Sequence, residues 1–207
     1  MAVANATVYR VPPDEASTRR LGEAMVFLAR KDAHDQEFIW WARAAVRGVP
    51  SKAHHMLVRR LLEWVRAHVT YLFDPLGYEL LQSPKHTLLV EGVADCDDLS
   101  CLLAAMSLAL GYPSVIRFVK SDQSRPREFS HVYVGIGIPD GKGGEEWIAC
   151  DATQAHAEPG WQPPHWGKLD YDLTTWDPST PEEVAFWREM ERRWQELAGR
   201  SGKISVP

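Results

Sequence analysis

Cysteine is scarce in this chain, with three residues among 207. None falls in a C-x-x-C pair and no H-E-x-x-H occurs, so a disulfide scaffold and a structural zinc site are both excluded as expectations. No apolar run approaches the roughly 18 residues a membrane helix needs. Long basic blocks are also missing and the net charge is −5, which argues against nucleic acid or an anionic membrane as the main partner. The first ten residues carry no basic segment followed by an apolar stretch. The expectation is therefore a cytoplasmic chain with no export leader, its thiols reduced, and no metal or cofactor.

Hydrophobic residues make up 45% and charged residues 25%, the balance of an ordinary globular domain. The length fits one domain over 1–207: an N-terminal helical part (1–50), a core (51–155), and a Trp/Pro-rich loop with a C-terminal helix (156–207). Nine tryptophans point to thick aromatic packing or an aromatic-walled groove.

The chain is organised around Glu91-Gly-Val-Ala-Asp-Cys96-Asp-Asp-Leu-Ser-Cys-Leu-Leu-Ala-Ala-Met106. Leu99, Leu103, Met106 and Leu110 recur at helical spacing, and Gly111 and Pro113 end the run. Asp95 reads as the N-cap, which puts Cys96 in the first turn. Helix amides and dipole favour a thiolate there, but Asp97 and Asp98 oppose it, so activation needs a cationic partner.

Upstream, Asp14 opens a helical pattern with Leu21, Met25 and Leu28 on one stripe and Phe38, Trp41, Ala45 and Val49 on another, broken near Asp32 to Asp35. Residues 1–13 read as a strand or arm. Ser51 reads as the cap of a third helix carrying Leu57, Leu61, Val65 and Val69. His34, His54, His55 and His68 have no ligand-spaced partners and read as surface or satisfied core histidines. The stretch from Thr70 to Pro84 is turn-rich and aromatic: a groove wall or a packed connection.

Beyond the cysteine helix the period changes to two. Ser114 to Lys120 is a strand and Asp122 to Glu128 a polar loop. In the next strand, Ser130 to Ile138, Val132, Val134, Ile136 and Ile138 share one face, and His131, Tyr133, Gly135 and Gly137 the other. Pro139 to Gly144 is a hairpin connection into Glu145 to Asp151, where Trp147, Ala149 and Asp151 lie opposite Ile148 and Cys150. Residues 154–180 read as an ordered surface loop, with His156 and His165 either edging a groove or sitting in turns. Thr180 and Pro181 open a last helix bearing Val184, Trp187, Met190 and Trp194.

The hairpin places the start of its first strand beside the end of its second, so His131 and Asp151 are expected neighbours. With Cys96 at a helix start they form the set a nucleophile, base and orienter require. Cys101 lies off the stripe of Cys96, and Cys150 points away from Asp151. Asp97 and Asp98 read as a solvated helix start in preference to a calcium site.

The order D-C-D-D-L-S, S-H-V-Y-V and W-I-A-C-D-A-T resembles the transglutaminase-like, papain-like superfamily over about residues 60–155. Tyr71, Asp74 and Gly111 also fall where such sequences often have them, while Ala94-Asp95 stands where a glycine often precedes the nucleophile. The resemblance implies an α+β fold: N-terminal helices, a nucleophile helix packed on an antiparallel sheet, and a C-terminal helix. It implies Cys96 as nucleophile, His131 as base and Asp151 as orienter. The second oxyanion donor stays open among Tyr71, Trp64 and Gln82. The implied activity is a cysteine peptidase or amidase acting on a protein or peptide through a thioester. Alternatives are a protein-glutamine acyl transferase, a non-catalytic peptide-binding or phage structural module, and an acetyltransferase-like use of the triad.

Overall fold

The helical stripes of the first third form three helices, α1 (Glu15–Ala33), α2 (Gln36–Ala45) and α3 (His54–His68). The structure, a computed structural model, describes residues 15–74 and 80–175, with Ala185, Glu189, Arg192 and residues 203–204. The expected N-terminal arm lies outside them, as does most of the Thr180-capped helix, of which Ala185, Glu189 and Arg192 are helical. The break between α1 and α2 falls where expected because Asp35 caps α2, its carboxylate accepting from the amide of Phe38. The third helix starts later than the Ser51 reading. Ala53 donates its amide to the Pro50 carbonyl at 2.9 Å, so Ser51 is spent in a turn and Ala53 becomes the N-cap without a side-chain bond.

Two short strands, β1 (Thr70–Tyr71) and β2 (Leu81–Gln82), follow α3. A single turn α4 (Pro84–His86) runs into a π-helical turn, Thr87–Glu91. Gly92 then takes a left-handed φ of 66°, open to glycine at no steric cost. This reverses the chain into β3 (Val93–Ala94), which pairs in parallel with β1 and leads into α5 (Cys96–Ala109).

The helix α5 is buried from Asp97 to Ser107 without a break. The expected single stripe is in fact an all-round burial, because α1, α2 and α3 cover one side and the sheet the other. A helix this apolar is stable only as the centre of a core.

The sheet holds β4 (Ser114–Val119), β5 (His131–Pro139), β6 (Glu145–Cys150) and β7 (Lys168–Asp172), ordered β6-β5-β4-β7 with every pair antiparallel. Val132, Val134, Ile136 and Ile138 face the core. The strand β7 lies inside the stretch read as loop, so residues 151–167 cross the outer sheet face from one edge to the other. A last strand, β8 (Lys203–Ile204), pairs with β2. No helix among the described residues is long and apolar enough to cross a membrane.

Candidate active site

In the β5–β6 ladder Val134 faces Cys150. Continued by one residue this sets Asp151 opposite Tyr133 and diagonal to His131 on the same face. The Nε2–H of His131 donates to Oδ2 of Asp151 at 2.8 Å. The other oxygen, Oδ1, accepts from the amide of Thr153 at 3.0 Å and its hydroxyl at 2.7 Å. Burial raises the Asp151 carboxyl, but the bond and charge of His131 and the two Thr153 bonds outweigh it and hold the group below its ordinary value. A buried carboxylate that accepts three hydrogen bonds stays ionised and fixed.

The main chain of Asp151 is held as well. Arg66, from α3, donates to the Asp151 carbonyl at 2.6 Å and to the Ala157 carbonyl at 2.7 Å. One guanidinium thus joins α3, Asp151 and the segment crossing the sheet. Burial lowers the Arg66 pKa, against an opposing pull from the Asp151 charge.

Cys96 is the first residue of α5 and the one partly exposed thiol of the three. Asp95 caps the helix, accepting from the amides of Asp97 and Asp98 at 3.2 and 3.5 Å. Asp97 and Asp98 are each 1% exposed, which overturns the solvated helix start. Asp98 faces inward because β2 supplies its partners: the amide of Gln82 at 2.6 Å and its Nε2 at 2.8 Å. One carboxylate oxygen each of Asp95 and Asp97 and the Cys96 Sγ lie within 4.8 Å of one another, a set with fewer oxygens than calcium takes. One turn into α5, the Ser100 hydroxyl donates to the Val132 carbonyl at 3.1 Å. This ties the cysteine helix to the residue beside His131.

The other thiols are core groups. Cys101 is wholly buried and donates to the Met25 carbonyl at 3.3 Å. Burial pushes its pKa far up, and that of Cys150 to about 12.

The three residues weighed as oxyanion donors separate. Gln82 spends both Nε2 hydrogens, on Asp98 and on the Val93 carbonyl at 3.3 Å. Trp64 stacks on His68 with ring centres 3.9 Å apart and tilts against Trp41. Tyr71 lies beside the cysteine, since the amide of its neighbour Leu72 donates to the Ala94 carbonyl at 2.8 Å. Burial raises the Tyr71 hydroxyl pKa first, and the charges of Cys96, Asp95, Asp151 and Asp97 raise it further. The Tyr71 hydroxyl is thus near enough to feel the charges of both Cys96 and Asp151.

The segment over the outer sheet face is pinned along its length. Tyr133 donates to Oε1 of Gln162 at 2.8 Å, Trp166 Nε1 to the Pro126 carbonyl at 2.8 Å, and Gly160 to the Ala149 carbonyl at 2.8 Å. His156 meets Trp161 edge-on, and His165 bonds the Pro163 carbonyl, so both serve turns of this segment. The upstream histidines are satisfied too: His34 by the Arg30 carbonyl, His54 by the Tyr112 hydroxyl, His68 by the Trp64 carbonyl and His55 by Glu146.

Thr153 was readable in principle, as the second residue after an aspartate in an Asx-type turn. Arg66 and Ser100 were not, since their partners are carbonyls of distant segments.

No curated protein matches the chain by sequence. Among solved structures, LapG of Legionella pneumophila aligns at 15% identity over 92% of this chain and 99% of its own, with a TM-score of 0.51. A candidate cysteine protease from Cytophaga hutchinsonii aligns at 16% identity over 77% of this chain and 58% of its own, TM-score 0.43. A candidate protease from Parabacteroides distasonis aligns at 14% identity over 69% of this chain, which spans only 32% of that protein, TM-score 0.43. The LapG likeness carries the fold. The sequence model of the transglutaminase-like superfamily matches residues 41–152, from α2 through the residue after Asp151. That is more than half of the sequence, and the chain belongs to the transglutaminase-like superfamily.

Proposed function

We propose that this protein is a cysteine hydrolase of peptide or isopeptide amides, with Cys96 as nucleophile, His131 as base and Asp151 as orienter. The observation that carries the reading is the 2.8 Å bond between His131 Nε2 and the buried Asp151; Cys96, which opens α5, is the one partly exposed thiol of the three.

With Nε2 engaged by Asp151, Nδ1 is the ring nitrogen left to take the Sγ proton. The thiolate attacks the amide carbonyl carbon, and the charge moves onto the carbonyl oxygen. The amide of Cys96 and the hydroxyl of Tyr71 are the proposed donors to that oxyanion. Collapse breaks the C–N bond, the amine leaves with the proton from imidazolium, and a thioester remains. Water, deprotonated by the same imidazole, attacks the thioester and releases the acid and the thiol. Asp151 stays ionised throughout and stabilises the imidazolium. The substrate is a protein or peptide.

The test is incubation of the protein with a mixed peptide and isopeptide library, with and without a labelled primary amine, beside Cys96→Ala. Products carrying new carboxyl ends, absent with Cys96→Ala, support hydrolysis. Label incorporated into glutamine donors replaces it with acyl transfer. Binding unchanged by Cys96→Ala with no product from either protein makes the chain a non-catalytic module.

A further inference from the structure

Nine large apolar side chains are exposed among the described residues, and five of them bracket one short segment. Tyr71, Leu72 and Phe73 continue β1; Leu89 and Val90 lie on the π-helical turn. Both segments are bonded to the approach to Cys96. Thr70 donates to the Gly92 carbonyl at 2.9 Å, Leu72 to the Ala94 carbonyl at 2.8 Å, and Gly92 to the Thr87 carbonyl at 3.0 Å. Phe73 is 77% exposed, Val90 68% and Leu72 59%. Scattered apolar exposure is ordinary, but a cluster on two segments flanking one cysteine is what a binding surface looks like.

The backbone adds direction. Thr70 and Leu72 turn their amides toward β3, so strand alternation turns the amide and carbonyl of Tyr71 the other way. The sheet of β1 and β3 has two strands, so that edge of β1 carries no further strand among the described residues. The charged residues of the approach itself, Glu91, Asp95 and Asp97, are all acidic, which disfavours an acidic occupant.

We infer that this rim is a substrate subsite: an extended, neutral or basic peptide pairs with the edge of β1 and sets large apolar side chains against Phe73, Leu72 and Val90. The inference deepens the hydrolase reading and rests on it for the identity of the occupant. Edge pairing supplies register and the apolar side chains supply selectivity, the division of labour of strand-addition recognition. Because Leu72 is bonded two residues short of Cys96, the selected side chain lies within about two residues of the scissile amide.

The test is binding to Cys96→Ala, which needs no turnover. Fluorescein-labelled peptides of equal length and charge carry either Leu and Phe or Ser at alternate positions, and their anisotropy is followed on titration. The apolar series is expected to bind at least about tenfold more tightly. Phe73→Ser and Val90→Ser, both at exposed positions, are expected to remove that preference while leaving the circular dichroism spectrum unchanged. Equal affinity for the two series, no binding of either, or a preference that survives both substitutions overturns the inference. So does a wild-type dimer in sedimentation that Phe73→Ser dissociates, which would make the rim a contact between copies. Alkylation of Cys96 by iodoacetamide in the wild-type protein reports separately on the hydrolase reading.

Discussion

Gln82 grips Asp98 twice, through its main-chain amide at 2.6 Å and its side-chain amide at 2.8 Å. The carboxylate lies in the first turn of α5, two residues beyond Cys96, so β2 is clamped to the helix start at a buried point. Asp98→Ala leaves two buried donors without an acceptor and is expected to cost roughly 2–4 kcal/mol. Asp98→Asn, which keeps one acceptor oxygen, is expected to cost less. Urea unfolding of the three proteins checks the order, and equal midpoints would remove the clamp from the account.

Arg66 holds two carbonyls, at 2.6 and 2.7 Å, and stands near the Asp151 charge. Arg66→Met is expected to lose about 2 kcal/mol of stability. It also removes a cation that favours the ionised Asp151 carboxylate, so, with Asp151 in its proposed role, the acid limb of the kcat/KM profile should move to higher pH. Arg66→Lys keeps the charge without the planar guanidinium that reaches both carbonyls, and should restore the limb more fully than the stability. A limb that stays in place in Arg66→Met would leave the residue a purely structural role.

The three thiols differ in access. Cys101 is wholly buried, and Cys150 is buried with its pKa pushed up to about 12. Iodoacetamide at neutral pH is expected to label Cys96 alone in the folded protein and all three in urea. Peptide mapping by mass spectrometry reads this directly. His131→Ala should slow labelling of Cys96 severalfold without opening the other two.

Asp151 is held below its ordinary value of 3.8 in the fold. The unfolded chain therefore takes up this proton first as pH falls. The stabilisation is complete above about pH 4 and is lost as pH drops through the folded value. Asp151→Asn lacks it at every pH, so the stability gap between wild type and this variant should narrow on acidification below pH 4. A gap that stays constant to lower pH would contradict the assignment. At neutral pH the same variant is expected to lose about 10⁴-fold in kcat through the wrong histidine tautomer.

The His131–Asp151 pair was legible because it needs only strand alternation and a hairpin, both written in Val132 to Ile138 and Pro139 to Gly144. Other parts of the site depend on partners that periodicity does not reveal. The burial of Asp97 and Asp98 is one, since two adjacent carboxylates at a helix start ordinarily face water and Asp98 turns inward only because Gln82 comes to meet it. The bonds of Arg66 to the Asp151 carbonyl and of Ser100 to the Val132 carbonyl join residues 85 and 32 apart, and backbone acceptors leave no mark on a sequence. The edge strand β7 went unread because Lys168-Leu-Asp-Tyr-Asp172 has two apolar residues and three charges, a composition ordinary for a loop. The start of α3 slipped because Ser51 is a good cap in isolation, while Pro50 had already committed the chain to a turn.

The hairpin has a temporal consequence. His131 opens β5 and Asp151 directly follows β6, and the two strands are joined by a five-residue turn, so the two side chains can meet through local contacts of low loop entropy. Cys96 arrives only when α5 docks on the sheet and Ser100 closes on Val132. The imidazole and its carboxylate need no contact with the sulfur in order to assemble. With Cys96 paired to His131 as proposed, fast alkylation of the thiol requires α5 to be docked, and its appearance on refolding marks completion of the core.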